Sequence, residues 1–88
     1  MSDLEFDLLD ELYFIQPFNQ IKETLKWDED LLRDTLFELH KKGWLKCFSD
    51  PNKEISGDEI DLQTRYRSYY YLASKKGLFA HNSTKQHE

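Results

Sequence analysis

The stretch that decides the fold runs Leu36-Phe37-Glu38-Leu39-His40-Lys41-Lys42-Gly43-Trp44-Leu45-Lys46-Cys47-Phe48. Ahead of Gly43 the apolar residues return at helical spacing, with Leu32, Leu36 and Leu39 forming one stripe. Beyond it, Leu45 and Cys47 alternate with Lys46 and Phe48, which is the two-residue period of a strand. Gly43 is the residue type expected just past a helix end, where left-handed backbone is needed. His40, Lys41 and Lys42 suit the negative end of that helix's dipole. The chain is therefore expected to pass from helix to strand at this glycine.

Toward the N-terminus, Asp28 is the natural N-cap of the same helix, and Glu29 and Asp30 extend its acidic first turn. A short helix precedes it with Ile21 and Leu25 inward, opening near the Gln16-Pro17 punctuation. A first helix is expected over Asp3 to Phe14, burying Leu4, Leu8, Leu9 and Leu12, with Phe6 and Tyr13 on another side. Toward the C-terminus, Arg65 to Leu72 reads as the antiparallel partner of the strand Trp44 to Phe48. The polar segment Ser49 to Thr64 between them is long for a hairpin and reads as mobile. A last short helix is expected around Lys75 to Ala80, followed by a disordered tail from His81 to Glu88. The sum is one domain over residues 3–80 of α+β class, mainly α: a three-helix bundle, a two-stranded hairpin and a short C-terminal helix.

That order, and the local wording, resemble a winged helix-turn-helix. Leu36 to Leu45 is similar to the lysine-glycine exit from a recognition helix. Tyr70-Tyr71-Leu72-Ala73-Ser74-Lys75-Lys76-Gly77-Leu78 resembles the second wing strand and its helical continuation in MarR- and PadR-type transcriptional regulators. The resemblance implies that the third helix enters a DNA major groove and presents its early outward residues to the bases. Here those residues are Glu29, Asp30, Leu31, Arg33 and Asp34, three of them carboxylates. Carboxylates repel phosphate and release no counterions.

Charge carries the same tension through the whole chain. The 88 residues hold 12 basic and 17 acidic side chains, a net −5, whereas binding driven by counterion release favours a basic surface. The wing is split: Asp50, Glu54, Asp58, Glu59 and Asp61 oppose Lys53 in residues 49–64, while Arg65, Arg67, Lys75 and Lys76 face no acid in residues 65–76. If double-stranded DNA is the partner, the contact candidates are Gln20, Lys22 and Arg33 on the helix-turn-helix and Arg65 and Arg67 on the wing.

Strand alternation points to a second kind of partner. With Leu45 and Cys47 inward, Trp44 and Phe48 face outward, and Tyr69 and Tyr71 are expected beside them. Phe37 also projects off the leucine stripe. Together these aromatics make a candidate interface for a homodimer or another protein, at the few hundred Å² where exposed apolar surface signals association.

Chemistry is thinly represented. His40, His81 and His87 are scattered and Cys47 has no partner, so no metal site or disulfide is expected. No serine sits in a glycine-flanked elbow, and Gly43, Gly57 and Gly77 form no phosphate-cradling loop, so neither an enzyme nor a bound cofactor is expected. No apolar run approaches the roughly 20 residues of a membrane span. The acidic start Met1 to Asp7 lacks a signal-peptide pattern, and a lone cysteine suits a reducing cytoplasm. Two functions follow from the reading: a DNA-binding regulator, homodimeric, or a protein-interaction module on the same scaffold.

Overall fold

The computed structural model describes residues 1–85, with side chains through Ser83. Helix α1 (Asp3–Glu11) starts at a capping box, in which Ser2 and Glu5 satisfy each other's backbone N–H. It ends three residues earlier than its apolar periodicity suggests. Leu8, Leu9 and Leu12 are buried, while Leu4 stays partly exposed. Strand β1 (Gln16–Pro17) leads directly into α2 (Phe18–Leu25), whose first residue is fully buried. Lys26 closes α2 in the left-handed conformation, φ 57°, and so makes the turn of the helix-turn-helix. Helix α3 (Glu29–Lys41) follows, its first turn capped by the Asp28 carboxylate, which accepts from the Asp30 and Leu31 amides.

The switch at Gly43 occurs as expected. Its φ is +76°, and strand β2 (Leu45–Asp50) begins two residues later. Beyond β2 come β3 (Lys53–Glu54), β4 (Tyr70–Ala73) and α4 (Lys75–Lys85). The sheet is antiparallel, in the order β1-β4-β2-β3, so the expected two-stranded hairpin carries a short strand on each flank. Its inner face and the three helices enclose one core of Leu8, Leu9, Leu12, Phe18, Ile21, Leu32, Leu36, Leu39, Leu45, Cys47 and Tyr71. The architecture is α+β, mainly helical, as the sequence indicates.

Four local expectations are overturned. The phase of β4 is reversed: Cys47 pairs with Tyr71 and Leu45 with Ala73, and directly opposed residues share a face. Tyr71 and Ala73 are therefore inside, and Tyr70 and Leu72 outside. Residues 65–69 are not strand, since Tyr66–Ser68 forms a 3₁₀ turn that places Tyr66 against the core. The segment 49–64 is not a free loop. It forms β3 and a 3₁₀ turn at Gly57–Glu59, packs Ile55, Ile60 and Leu62 on the core, and Asp61 caps the turn that follows by accepting from the Gln63 and Thr64 amides. Finally, the tail expected from His81 stays helical through Lys85. His81 is 1% exposed, stacked on Phe6 at 4.2 Å and within 2.8 Å of the Tyr13 hydroxyl. That partner explains why Phe6 and Tyr13 lie off the main stripe of α1. The rest of the expected tail, residues 86–88, lies outside the described residues.

Candidate macromolecule-binding face

Helix α3 turns three different faces to its surroundings. Leu32, Thr35, Leu36 and Leu39 are buried. At 100° per residue, Asp30, Asp34, Phe37 and Lys41 stand opposite them, and Glu29, Arg33 and His40 lie along one flank. In a groove-reading helix the opposite strip and its flank must be free to meet DNA.

The flank is already occupied. The segment returning from the wing, residues 60–68, runs beside it and is anchored from both sides. Leu62 is buried, and the Tyr66 ring meets Phe18 of α2 edge-on at 5.1 Å. The Tyr71 hydroxyl donates to the Tyr66 carbonyl at 2.7 Å. At the start of α3 the Glu29 carboxylate accepts from the Tyr66 hydroxyl and from the Arg67 guanidinium, whose Nε lies at 2.6 Å. These hydrogen bonds, Tyr66 first and then Arg67, hold the Glu29 carboxyl below the usual carboxylate range and raise the Tyr66 phenol in return. Arg33 lies over one side of the Tyr66 ring system at 5.7 Å, and Arg67 at 5.4 Å.

The opposite strip is acidic at its leading end. Arg33 reaches Asp30 and Asp34, each at 3.1 Å, and these bonds, Asp34 above all, raise its pKa further. The arginine that a groove would use is thus turned onto its own helix's carboxylates. A cleft of about 400 Å³ separates Arg33, Asp34 and Phe37 from Leu62 and Gln63, which marks how far the return segment extends along α3.

The structure brings some of the candidate DNA contacts together. Lys22 is near enough to act electrostatically on Glu29, and Arg33 and Arg67 flank Tyr66. Gln20 is exposed on α2, and Arg65 is exposed beside Asp61. Gln20, Arg65 and Arg67 are exposed; Arg67 is bonded to Glu29, and Arg65 acts electrostatically on Asp61.

The candidate aromatic interface divides. Tyr71 is fully buried and Tyr69 is 6% exposed, its hydroxyl accepting from the Asp61 amide, so both belong to the core. Reversal of the β4 phase accounts for Tyr71, and the folded-back segment covers Tyr69. Phe48 is half-buried on the outer face. Trp44 is half-buried between Lys42, 4.9 Å from its ring, and the start of α4. Phe37 is exposed, with Lys41 over its ring. Sequence reasoning missed Phe14 and Phe79, the most exposed large apolar residues, and Tyr66. The signal for Tyr66 was present as an aromatic isolated in a polar stretch.

The helix-turn-helix, the sheet hairpin and the trailing helix match the solved structure of the Multiple Antibiotic Resistance Repressor, MarR, with a TM-score of 0.76 over 98% of this chain. The fold is a MarR-like winged helix. Sequence identity across the match is 18%, and the chain spans 55% of the length of that protein. No protein-family model matches this chain, and no curated protein matches its sequence.

Among the described residues, no group of three or more His, Cys, Asp or Glu is placed to hold a metal ion. No described helix is long and apolar enough to cross a membrane. Cys47 is buried, and its thiol is pushed up to about 12 by that burial and by Glu54, far from the range of a nucleophile.

Proposed function

We propose that this chain is a winged-helix regulatory module that works by contacting protein, with α3 not serving as a reader of duplex DNA. One observation carries the reading: Glu29 binds Tyr66 and Arg67, which seats the wing's return segment on the flank of α3 that a major groove would need. What remains exposed on that helix is Asp30, Asp34, Phe37, Glu38 and Lys41, an acid–aromatic strip. Such a strip suits a partner with a basic and apolar groove, in the manner of a helix laid into a complementary surface.

A second reading is favoured by the likeness to a repressor and by the gathering of Lys22 and Arg67 at Glu29 and of Arg33 and Arg67 at Tyr66. It is a homodimeric, cytoplasmic DNA-binding regulator touching duplex through Gln20, Lys22, Arg33, Arg65 and Arg67. Fluorescence anisotropy of a short mixed-sequence duplex, titrated with the protein over a range of salt, separates the two. If four cations met phosphate, the slope of log affinity against log salt would be about −4. The protein-contact reading expects no saturable, salt-dependent complex. A complex with that slope, weakened by Arg65→Ala and Arg67→Ala, would install the second reading in its place.

A further inference from the structure

Between α1 and α3 lies a groove of about 390 Å³, with Asp34 and Glu38 of the acid–aromatic strip along its edge. Leu4 of α1 and Leu31 of α3 supply its apolar surface. Leu4 belongs to the apolar periodicity of α1 yet is 39% exposed, and Leu31 is only half-buried, so neither leucine is fully covered. Leu31 also stands among the residues that a groove-reading helix aims at base edges, where its side chain has no hydrogen bond to offer. The polar groups around the two leucines are already engaged. The Thr35 hydroxyl donates to the Leu31 carbonyl at 2.7 Å, Ser2 and Glu5 cap each other, and Lys42 is bonded to Glu5. An apolar side chain placed here gains burial without stranding any of these bonds.

The rim carries surplus negative charge. Glu38 is paired with Lys41, but Arg33 alone serves both Asp30 and Asp34. Asp7 and Glu11 follow Leu4 at three and seven residues, on the same side of α1, and neither has an ion pair among the described residues. We propose that the partner contributes a basic amphipathic helix, its apolar ridge seated over Leu4 and Leu31 and its cations set against Asp7, Glu11 and the Asp30–Asp34 pair. This rests on the protein-contact reading of α3 and names the chemistry of its partner. A groove between two packed helices takes the ridge of a third, whose anchors recur at i, i+3 or i+4 and i+7. Complementary charge then fixes orientation and speeds capture. Phosphate is repelled from the same groove by the surplus carboxylates.

A synthetic peptide of leucine and lysine tests it, about 15 residues long so that a helix can hold, with its leucines confined to one face. Amide shift mapping during titration into the isotope-labelled protein should show saturable changes centred on Leu4, Leu31, Thr35 and Glu38. Leu4→Gln/Leu31→Gln removes the apolar seat, and Asp7→Lys/Glu11→Lys alters charge while leaving the leucines in place. Each should weaken binding roughly tenfold or more, and the second pair decides the matter if the first fails to fold. A peptide of the same composition with its leucines scattered should lose roughly as much. A scattered peptide bound as tightly, the absence of saturable shifts, or binding indifferent to Asp7→Lys/Glu11→Lys would each overturn the proposal. So would shifts confined to Phe37, Leu62 and Gln63, which would move the seat to the other cleft beside α3 and leave the protein-contact reading standing. That reading itself falls only to a salt-dependent duplex complex on α3.

Discussion

Replacing Gly77 with alanine sets two well-understood effects against each other, and the structure decides the sign. Inside a helix, alanine is preferred to glycine by roughly 0.5–1 kcal/mol, because glycine has more backbone freedom to lose. Propensity alone therefore makes Gly77→Ala stabilising. A Cβ at this position, however, would sit 2.4 Å from the Trp44 carbonyl oxygen and 3.1 Å from the Trp44 carbonyl carbon and Cβ, where ordinary contact begins near 3.4 Å. The obstacle is backbone and cannot swing away, so α4 must retreat by about 1 Å. Overpacking of this kind costs roughly 1–3 kcal/mol. The same Trp44 oxygen accepts the Ser74 amide at 2.9 Å, and the Ser74 hydroxyl holds the Gly43 carbonyl at 2.7 Å. Loosening either adds about 0.5–1.5 kcal/mol.

The balance is a net loss of about 1–3 kcal/mol, which for a domain of this size lowers the melting temperature by roughly 5–20 °C. Urea unfolding followed by far-ultraviolet circular dichroism would show it as a lower midpoint at unchanged slope. A Gly77→Ala protein as stable as the parent, or more so, would refute the close approach of α4 to Trp44 and with it the placement of the whole C-terminal helix.

Two further substitutions probe contacts that hold α1. Tyr13→Phe removes the hydroxyl that lies 2.8 Å from His81 Nδ1 and donates to Asn82 Oδ1 at 2.9 Å. His81 Nε2 makes no hydrogen bond and has only a 3.4 Å contact with the Asp10 carboxylate, so the variant removes the hydroxyl that engages the buried imidazole at Nδ1. A loss of about 1–3 kcal/mol is expected, with faster amide exchange along α4, whereas His81→Phe, which keeps the stack on Phe6, should be closer to neutral. The second concerns acid stability. Burial opposes ionisation of Glu5, but hydrogen bonds from Lys42 and Ser2 outweigh it and hold its pKa below the ordinary 4.5. A depressed folded-state pKa contributes stability that is present above the unfolded value and lost as pH falls through the folded one. Stability should therefore drop below about pH 4.5, and Glu5→Gln should flatten that drop in denaturant midpoints measured from neutral pH to about pH 3.

What could be read from sequence was what neighbouring residues decide among themselves. The cap at Asp28 is a bond between a side chain and amides two and three residues on, and the left-handed Gly43 follows from the absence of a Cβ. The stripe Leu32, Leu36, Leu39 needs only helical periodicity. The face of Tyr71 needed the register of β4 on β2, which no local rule specifies, and a one-residue slip turns every side chain over. The return segment needed a partner. Leu62 and Tyr66 are isolated apolar residues in a polar stretch, and only contact with Phe18 and Glu29 makes order more favourable than freedom there. His81 belongs to the same class, because polar composition hides a residue whose place is fixed by a ring on another helix.

The likeness to MarR and the charge pattern that opposes groove reading are different features, which is why they do not conflict. A match at 18% identity is a likeness of backbone path, and a shared fold is silent about ligands. Affinity for phosphate depends on outward charge, and here Glu29, Asp30 and Asp34 engage Arg67 and Arg33 before any ligand arrives. A duplex would have to detach those arginines from carboxylates held within hydrogen-bond distance and then face the uncovered acids. The counterions released by two arginines would be offset by the repulsion of three carboxylates. On this scaffold the distribution of charge around Tyr66 bears on the partner more directly than the path of the backbone does.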